Sequence, residues 1–404
     1  GNRWRLCGTR SLWKTCGNGQ KEPLGKPGRD IIVTLDQPIY TGKAPVNPFF
    51  WKGKRVFVTG HSGFKGSWLC QWLVDMGAVV RGYGIEPDWH SPPEGRANLF
   101  DELELANRMD DIEGDVRDAQ TLRACLSEFR PEIVIHMAAQ PLVRLSYACP
   151  VETYETNVMG AVHLLDICRS LPDLRSILVV TSDKSYENRE QIWGYRESDP
   201  MGGADPYSNS KGCTELVTAA YRQSFFPADR ISEHGVVLAS GRAGNVIGGG
   251  DWCADRLIPD VFRAVAKGEE VVIRSPNATR PWQHVIEPLA GYLRLIEYGY
   301  ETPRMAAAGW NFGPQLDGGM PVGTIMAKIE TGMRGMMRYR VDEAGANLHE
   351  AKLLKLDCTA ARTYLGVASM FDLDQTLRMV VDWYRAPDAT AARTVLREQL
   401  AAVL

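Results

Sequence analysis

Tyr207 and Lys211 stand four residues apart in Tyr-Ser-Asn-Ser-Lys, the separation at which two side chains share one face of a helix. An ammonium beside a phenol favours tyrosinate and lowers the phenol pKa. Such a tyrosine can take a hydroxyl proton while a hydride leaves the same carbon. Upstream, the apolar run Ile177-Leu-Val-Val180 runs into Thr-Ser-Asp-Lys-Ser-Tyr-Glu-Asn, residues 181–188. Ser182, Asp183 and Lys184 therefore put a potential proton acceptor, a proton donor and a cation in succession where a buried strand should end. A YxxxK pair alone is common in helices; paired with a strand-end serine it points to hydroxyl oxidation.

A hydride needs an acceptor, and the residues after Arg55-Val-Phe-Val58 describe one. Gly60, Gly63 and Gly66 have GxxGxxG spacing between a short apolar strand and a helix with apolar residues at 68, 69, 72, 73 and 76. Gly60 permits the tight turn, Gly63 lets backbone N–H groups approach a pyrophosphate, and Gly66 allows close helix packing, with the helix N-terminus adding positive potential. An acidic partner for the adenosine ribose should end the second strand, where Glu86 is a substitute. No pair of arginines marks a 2′-phosphate pocket, so NAD is expected over NADP. Asp115, in Gly-Asp-Val-Arg, is read either as an acceptor for the adenine amino group or as a helix cap.

The elements that must position these groups alternate. Strands at Ala78–Val80, Ile112–Asp115, Glu132–His136, Ile177–Val180 and Gly235–Leu238 are separated by helices near residues 67–76, 121–129, 152–169 and 207–223. Continuously apolar strands between helices belong to a parallel sheet covered on both faces. The fold expected is α/β, a Rossmann-type doubly wound parallel sheet with a smaller mixed α/β substrate-binding cap. Residues 46–241 would form the dinucleotide-binding domain and carry the catalytic residues. Residues 242–404, loop-rich with Gly, Pro, Trp and Arg, would form mainly the cap, with some segments returning to the sheet. Residues 1–45 hold eight Lys/Arg against three Asp/Glu and read as a poorly ordered extension.

Composition excludes several classes. A net charge of −3 argues against general attraction to nucleic acid or anionic membranes. No apolar run approaches the roughly 18–20 residues that span a bilayer, and no charged-then-apolar leader opens the sequence as given. Nine cysteines without a CxxC or Cys/His cluster read as free thiols in a reducing cytoplasm, with no metal site.

The glycine loop, His136-Met-Ala-Ala139, the strand-end Ser182 and Tyr207/Lys211, in this order, resemble the extended short-chain dehydrogenase/reductases. More narrowly, residues from about 47 to 384 resemble the CDP-glucose 4,6-dehydratases. The segments that carry it are 50–68, 181–188, Asp205–Lys211, Gly241-Arg-Ala-Gly-Asn-Val-Ile-Gly-Gly-Gly-Asp-Trp252 and Arg280-Pro-Trp-Gln-His284. The resemblance implies three steps on CDP-glucose. C4 is oxidised as Tyr207 takes its hydroxyl proton and Ser182 bonds the same oxygen, water is eliminated across C5–C6, and hydride returns to C6. NAD is regenerated and the product is CDP-4-keto-6-deoxy-D-glucose. Asp183 would protonate the departing 6-hydroxyl if burial keeps it neutral. Lys184 would be either the C5 base or a cation beside the enolate; relatives acting on dTDP-glucose carry Glu there.

The resemblance also implies cofactor contacts at Gly60, Gly63, Phe64, Lys65, Gly66, Asp115 and Val116. Ala138, Ala139, Gln140, Asn157, Tyr207 and Lys211 would complete them. Asn245, Arg256, Arg280 and Gln283 would meet the nucleotide sugar, the arginines because a planar fork of donors suits a pyrophosphate. Arg242 is read as either a salt-bridge residue or a ligand, Trp282 as core or nucleotide contact, and His284 as a phosphate shield. His136 and His163 read as core histidines, and His61 as acting through its backbone. A homodimer is expected through the Tyr207 helix and the helix near 152–169. A 4-epimerase, or a dehydratase for another NDP-glucose, would use the same Tyr207 and Lys211. A non-catalytic NAD-binding protein would have no reason to keep both.

Overall fold

The computed structural model describes residues 44–86, 90–273, 276–314, 319–333, 337–341 and 353–403; most of the expected N-terminal extension lies outside them. Seven short runs, rich in Val and Ile, pair as one sheet: β1 Arg55–Thr59, β2 Val79–Gly84, β3 Asp110–Glu113, β4 Ile133–His136, β5 Ser176–Val180, β6 Val237–Ala243 and β7 Gly309–Phe312. The order is β7-β6-β5-β4-β1-β2-β3, and every neighbouring pair is parallel. The chain moves outward from β1 through β2 and β3, then restarts at β4 on the other side. Ligands bind at such a reversal, outside the carboxyl ends of the strands.

Successive strand residues face opposite sides, and here both sides are buried. Val56, Val58, Ile133, Ile135, Leu178 and Val180 join one core with Trp68, Leu69, Trp72 and Leu73. Phe57, Val134, Ile177 and Val179 join the other with Leu122, Leu126, Leu164 and Leu165. This produces continuous apolar runs in place of an in–out alternation. The expected doubly wound parallel sheet is the fold that forms.

The covering helices that matter for the site are α1 Phe64–Asp75, α2 Ala119–Phe129, α3 Gly160–Cys168, α4 Pro206–Ser224, α5 Leu257–Lys267 and α6 Ile286–Glu301. The single helix expected near 152–169 is a composite. Pro150–Tyr154 is helical, Glu155–Met159 is a π-helical turn, and α3 follows. After β6 the strands are short and pair in twos. Val246–Ile247 runs parallel with Gln283–His284, Thr279–Pro281 antiparallel with Gly319–Pro321, and Val271–Ile273 parallel with Tyr339–Val341. β7 comes from this later part of the chain yet pairs with Ser240–Ala243 of β6. Among the described residues no helix is long and apolar enough to cross a membrane.

Candidate active site

The turn from β1 into α1 uses its glycines in two ways. Gly60 has φ 71°, and a Cβ there would lie 2.7 Å from the Ala138 backbone; at Gly66 it would lie 2.1 Å from the Gly60 carbonyl oxygen. Both glycines are demanded by close approach of the chain to itself. At Gly63 the nearest protein atom to a Cβ is 3.5 Å away, an ordinary contact, so packing leaves open the space that a ligand would fill. No side chain caps α1 at Gly63, and uncapped N–H groups at a helix N-terminus hold phosphate. The residues present therefore fit a dinucleotide diphosphate.

This turn opens on a cleft of about 1340 Å³ that also receives Phe64, Lys65, Asp115, Val116, Ala138, Ala139, Gln140, Ser182, Asp183, Lys184, Tyr207, Lys211, Asn245, Arg256 and Arg280. β5 ends at Val180, and Asp183–Ser185 forms one 3₁₀ turn with Ser182 as its cap. Ser182 Oγ accepts from the Lys184 N–H at 3.3 Å and donates to Asp183 Oδ1 at 3.0 Å. Asp183 is 2% exposed. Burial raises its pKa, against the opposing pull of Lys184, Ser182 and Arg280, so the turn makes this carboxyl harder to ionise than a free one. Lys184 is half-buried, with Nζ 6.0 Å from the centre of the Tyr207 ring.

α4 starts where Asp205 accepts from the Ser208 N–H and Pro206 occupies the first turn, a favoured combination at a helix start. Tyr207 N–H donates to Ser146 Oγ at 3.1 Å, which fixes the first turn at the cleft. Lys211 Nζ donates to the Val180 carbonyl at 3.5 Å, so YxxxK and the end of β5 meet. The expected lowering of the phenol by Lys211 is not what the structure gives. Burial pushes Tyr207 up to about 12, and the opposing groups are Ser182 and Arg256. Burial also brings Lys211 down to about 8, with Glu215 opposing. Desolvation outweighs the pairing that the spacing suggested.

Other expected contacts are placed differently. Gln140 lines the cleft, but its side chain donates to Thr153 Oγ1 at 2.9 Å and accepts from the Leu142 N–H, so it is held by its own loop. Asn157 is 1% exposed and ties the Gln140 backbone to Ser210 Oγ at 2.8 Å; it buttresses the cleft from behind. Asp115 does not cap α2, a task taken by Asp118. Its carboxylate is held by Arg117 at 2.6 and 2.8 Å. Glu86 is exposed and accepts from Asn98 at 3.0 Å.

On the later segment, Arg256 donates to Asp251 at 2.9 Å. Although burial works against its charge, that carboxylate keeps the guanidinium protonated. Gln283 is 2% exposed, donates to the Phe312 carbonyl at 3.2 Å and lines a separate cavity of about 290 Å³; Trp282 faces the main cleft in its place. His284 is fully buried against Trp68 and Phe371 and burial drops its pKa to about 3, so it shields no phosphate. Arg242 is a buried partner of Glu215 at 2.8 Å. His136 bonds Thr59 at 2.7 Å in the core, and His61 pairs through its ring with Asp111 at 2.6 Å.

The GDP-mannose 4,6 dehydratase family model matches residues 57–380. The chain belongs to this family. It is 51% identical over 338 residues to CDP-glucose 4,6-dehydratase of Salmonella typhimurium, covering 83% of this chain and 92% of that protein. Two solved structures share the fold. One is dTDP-glucose 4,6-dehydratase of Bacillus anthracis in complex with NAD, with TM-score 0.66, 17% identity, and 85% and 100% of the two chains covered. The other is UDP-glucose 4-epimerase of Thermotoga maritima with UDP-glucose, with TM-score 0.65, 20% identity, and 82% and 98% covered.

Lys65, expected as a cofactor contact, lines the cleft, and one buried group behind it, Glu215, was passed over by motif reading. Lys65 Nζ donates to Tyr292 Oη at 3.2 Å, and burial brings the amine down to about 7, with Lys211 and Arg256 adding and Asp183 opposing. Glu215 lies behind Lys211, and its one sequence signal was a carboxylate one turn further along the same helix face.

Proposed function

We propose that this protein is a CDP-glucose 4,6-dehydratase using tightly bound NAD. One observation carries the reading: a hydroxyl, a carboxyl held towards its neutral form, a phenol and an amine converge in one cleft with a phosphate-accepting glycine turn. The 51% identity to a protein of that name supplies the nucleotide. In this reading residues up to about 241 carry the cofactor and the catalytic groups, and the later segment mainly carries the nucleotide sugar. Gly60, Gly63, Phe64, Lys65, Gly66, Asp115, Val116, Ala138 and Ala139 hold NAD. Asn245, Arg256 and Arg280 meet the sugar diphosphate.

When bound, NAD supplies a hydride acceptor at C4 and a hydride donor at C6. The side chains do the rest. Tyr207 takes the proton of the 4-hydroxyl through its phenolate form, the minor form at neutral pH because burial pushes the phenol up, while Ser182 holds the same oxygen. The ketone at C4 makes the C5 hydrogen acidic, and its proton passes to water in the open cleft. Asp183 gives its own proton to the 6-hydroxyl, which leaves as water, and Asp183 is then reprotonated from solvent. Lys184 acts as a cation: its charge is the first influence opposing burial at Asp183, and its Nζ lies 6.0 Å from the centre of the Tyr207 ring, close enough to steady the enolate. An epimerase has no use for a carboxyl whose pKa burial raises at this position.

The reading includes a cytoplasmic homodimer. Val151, Met159 and Leu216 are 69, 44 and 60% exposed on the helices expected to pair, and seven cysteines among the described residues are free. Sedimentation of Leu216→Glu tests the dimer; an unchanged mass would remove this face from it. Incubation with CDP-, dTDP-, GDP- and UDP-glucose tests the activity. A 4-keto-6-deoxy product from CDP-glucose is expected, and CDP-galactose would replace this reading with epimerisation.

A further inference from the structure

Behind the cleft, α4 carries a second buried ionisable group that takes no part in the steps above. Glu215 is 4% exposed and lies one turn beyond Lys211. Its carboxylate accepts from Thr181 Oγ1, from Ser240 Oγ at 2.7 Å and from Arg242 Nη2 at 2.8 Å. Arg242, 5% exposed, also donates to Tyr186 Oη at 2.6 Å and to the Glu197 carbonyl at 3.2 Å. Tyr186 in turn donates to Asn311 of β7 at 2.7 Å. The residues on either side of the Ser182–Ser185 turn thus both end on one ion pair, Thr181 on the carboxylate and Tyr186 on the guanidinium. Stability is a poor reason for the pair, because desolvation offsets most of the attraction at this depth. Its placement fits another use.

We infer that Glu215 and Arg242 are positioning residues for the reaction, one buried pair that fixes both ends of the turn bearing Ser182, Asp183 and Lys184 and supplies the counter-charge behind Lys211. The inference rests on the dehydratase reading for what those side chains do. Glu215 on its own helix, Lys65 from α1 and His136 from β4 interact with Lys211; Tyr207 lies one turn before it, the packed turn carries Asp183 and Lys184, and β6 carries Arg242, the partner of Glu215. His136 is neutral, its pKa brought to about 3 by burial with Lys211 adding. Burial opposes the Lys211 ammonium and Glu215 favours it. Arg242, with Thr181 and Ser240, keeps Glu215 ionised against its own burial. The pair is neutral as a whole, yet its negative end lies on the Thr181 side, next to the Val180 carbonyl that Lys211 contacts.

The test is the double variant Glu215→Gln/Arg242→Met, which removes both charges together and leaves neither buried alone. We expect it to fold, with turnover of CDP-glucose lowered about tenfold or more as the turn loosens. Loss of the counter-charge lowers the Lys211 pKa, so the alkaline limb of the rate profile moves to lower pH by about half a unit or more. The pH midpoint for acylation of Lys211 by a lysine-selective ester, read by peptide mass spectrometry in the free protein, moves the same way. A folded double variant with wild-type turnover and an unmoved midpoint overturns the inference. Should the double variant not fold, Glu215→Asp decides: it keeps the charge and shortens the reach, so turnover falls while the midpoint stays, and wild-type turnover overturns the clamp. Acylation needs no substrate. A wild-type protein inactive on CDP-glucose therefore counts against the dehydratase reading and leaves this measurement standing.

Discussion

Around Thr181–Tyr186, side chains end on buried partners from four elements: Ser182 on Asp183, Thr181 on Glu215, Tyr186 on Asn311, and Lys211 on the Val180 carbonyl. Across the cleft, Asn245 lies just before a two-residue pairing, Arg280 within a three-residue one, and Arg256 at the start of α5. Arg256 is held by Asp251 and Arg280 by its neighbour's carbonyl. One wall is fixed by a long parallel sheet and a buried polar network. The other presents cations on short ladders. In the proposed reaction, chemistry that needs a proton donor and an aligned phenol would sit where displacement is costly. The proposed recognition of a diphosphate, whose charge is felt from several directions, would tolerate the lighter frame.

Substitutions on the fixed wall should therefore cost turnover, and those on the cationic wall should cost affinity. Tyr207→Phe carries the largest expected effect: kcat falls about 10²–10⁴-fold with the fold intact, and wild-type turnover would remove Tyr207 from the chemistry. Asp183→Asn should also stop elimination, and it should raise the melting temperature near neutral pH. Burial raises Asp183 in the folded state, so its contribution to stability is fully present below the unfolded pKa of about 3.9 and is lost as pH rises through the folded value. Asparagine has no such loss, and the gain should vanish in acid. Melting curves across pH decide; a destabilised Asn variant at pH 7 would mean that the carboxylate is the form the turn prefers.

Arg256→Ala should raise KM about 10–100-fold and leave kcat within a few-fold. A loss confined to kcat would erase the distinction between the walls. Lys184→Arg keeps a cation that cannot act as a base. It should retain about a tenth or more of wild-type activity, whereas Lys184→Met falls further, about 100-fold; equal loss in both assigns Lys184 the C5 proton. The smallest expected effect is at the cofactor turn. Gly63→Ala should weaken NAD binding about tenfold without a change in melting temperature, because a Cβ meets protein only at 3.5 Å, whereas Gly66→Ala should unfold the turn through its 2.1 Å approach. Titration with NAD and a thermal melt of both variants separate ligand space from packing.

The sequence placed the fixed wall well and the other wall less well. Glycine spacing, YxxxK and the polar strand end are local patterns, and each landed in the cleft because backbone periodicity dictates where side chains point. Asn157 and Gln140 were legible as residues of the site but not in their roles: which hydrogen bonds they make depends on a π-helical turn that no periodicity announces. Gln283 and His284 follow directly after a cleft residue, and a two-residue strand turned them into the core. Short irregular ladders leave side-chain direction to long-range packing.

By itself the sequence determined the doubly wound sheet, the dinucleotide turn and the order of Ser182, Asp183, Tyr207 and Lys211, because these follow from apolar periodicity and local backbone geometry. Only the tertiary structure decided how readily those groups ionise. Tyr207 and Asp183 are driven up and Lys211 down by burial. Desolvation depends on everything packed around a charge, and the Glu215–Arg242 pair is assembled from residues on α4 and β6, brought together only when the sheet has formed.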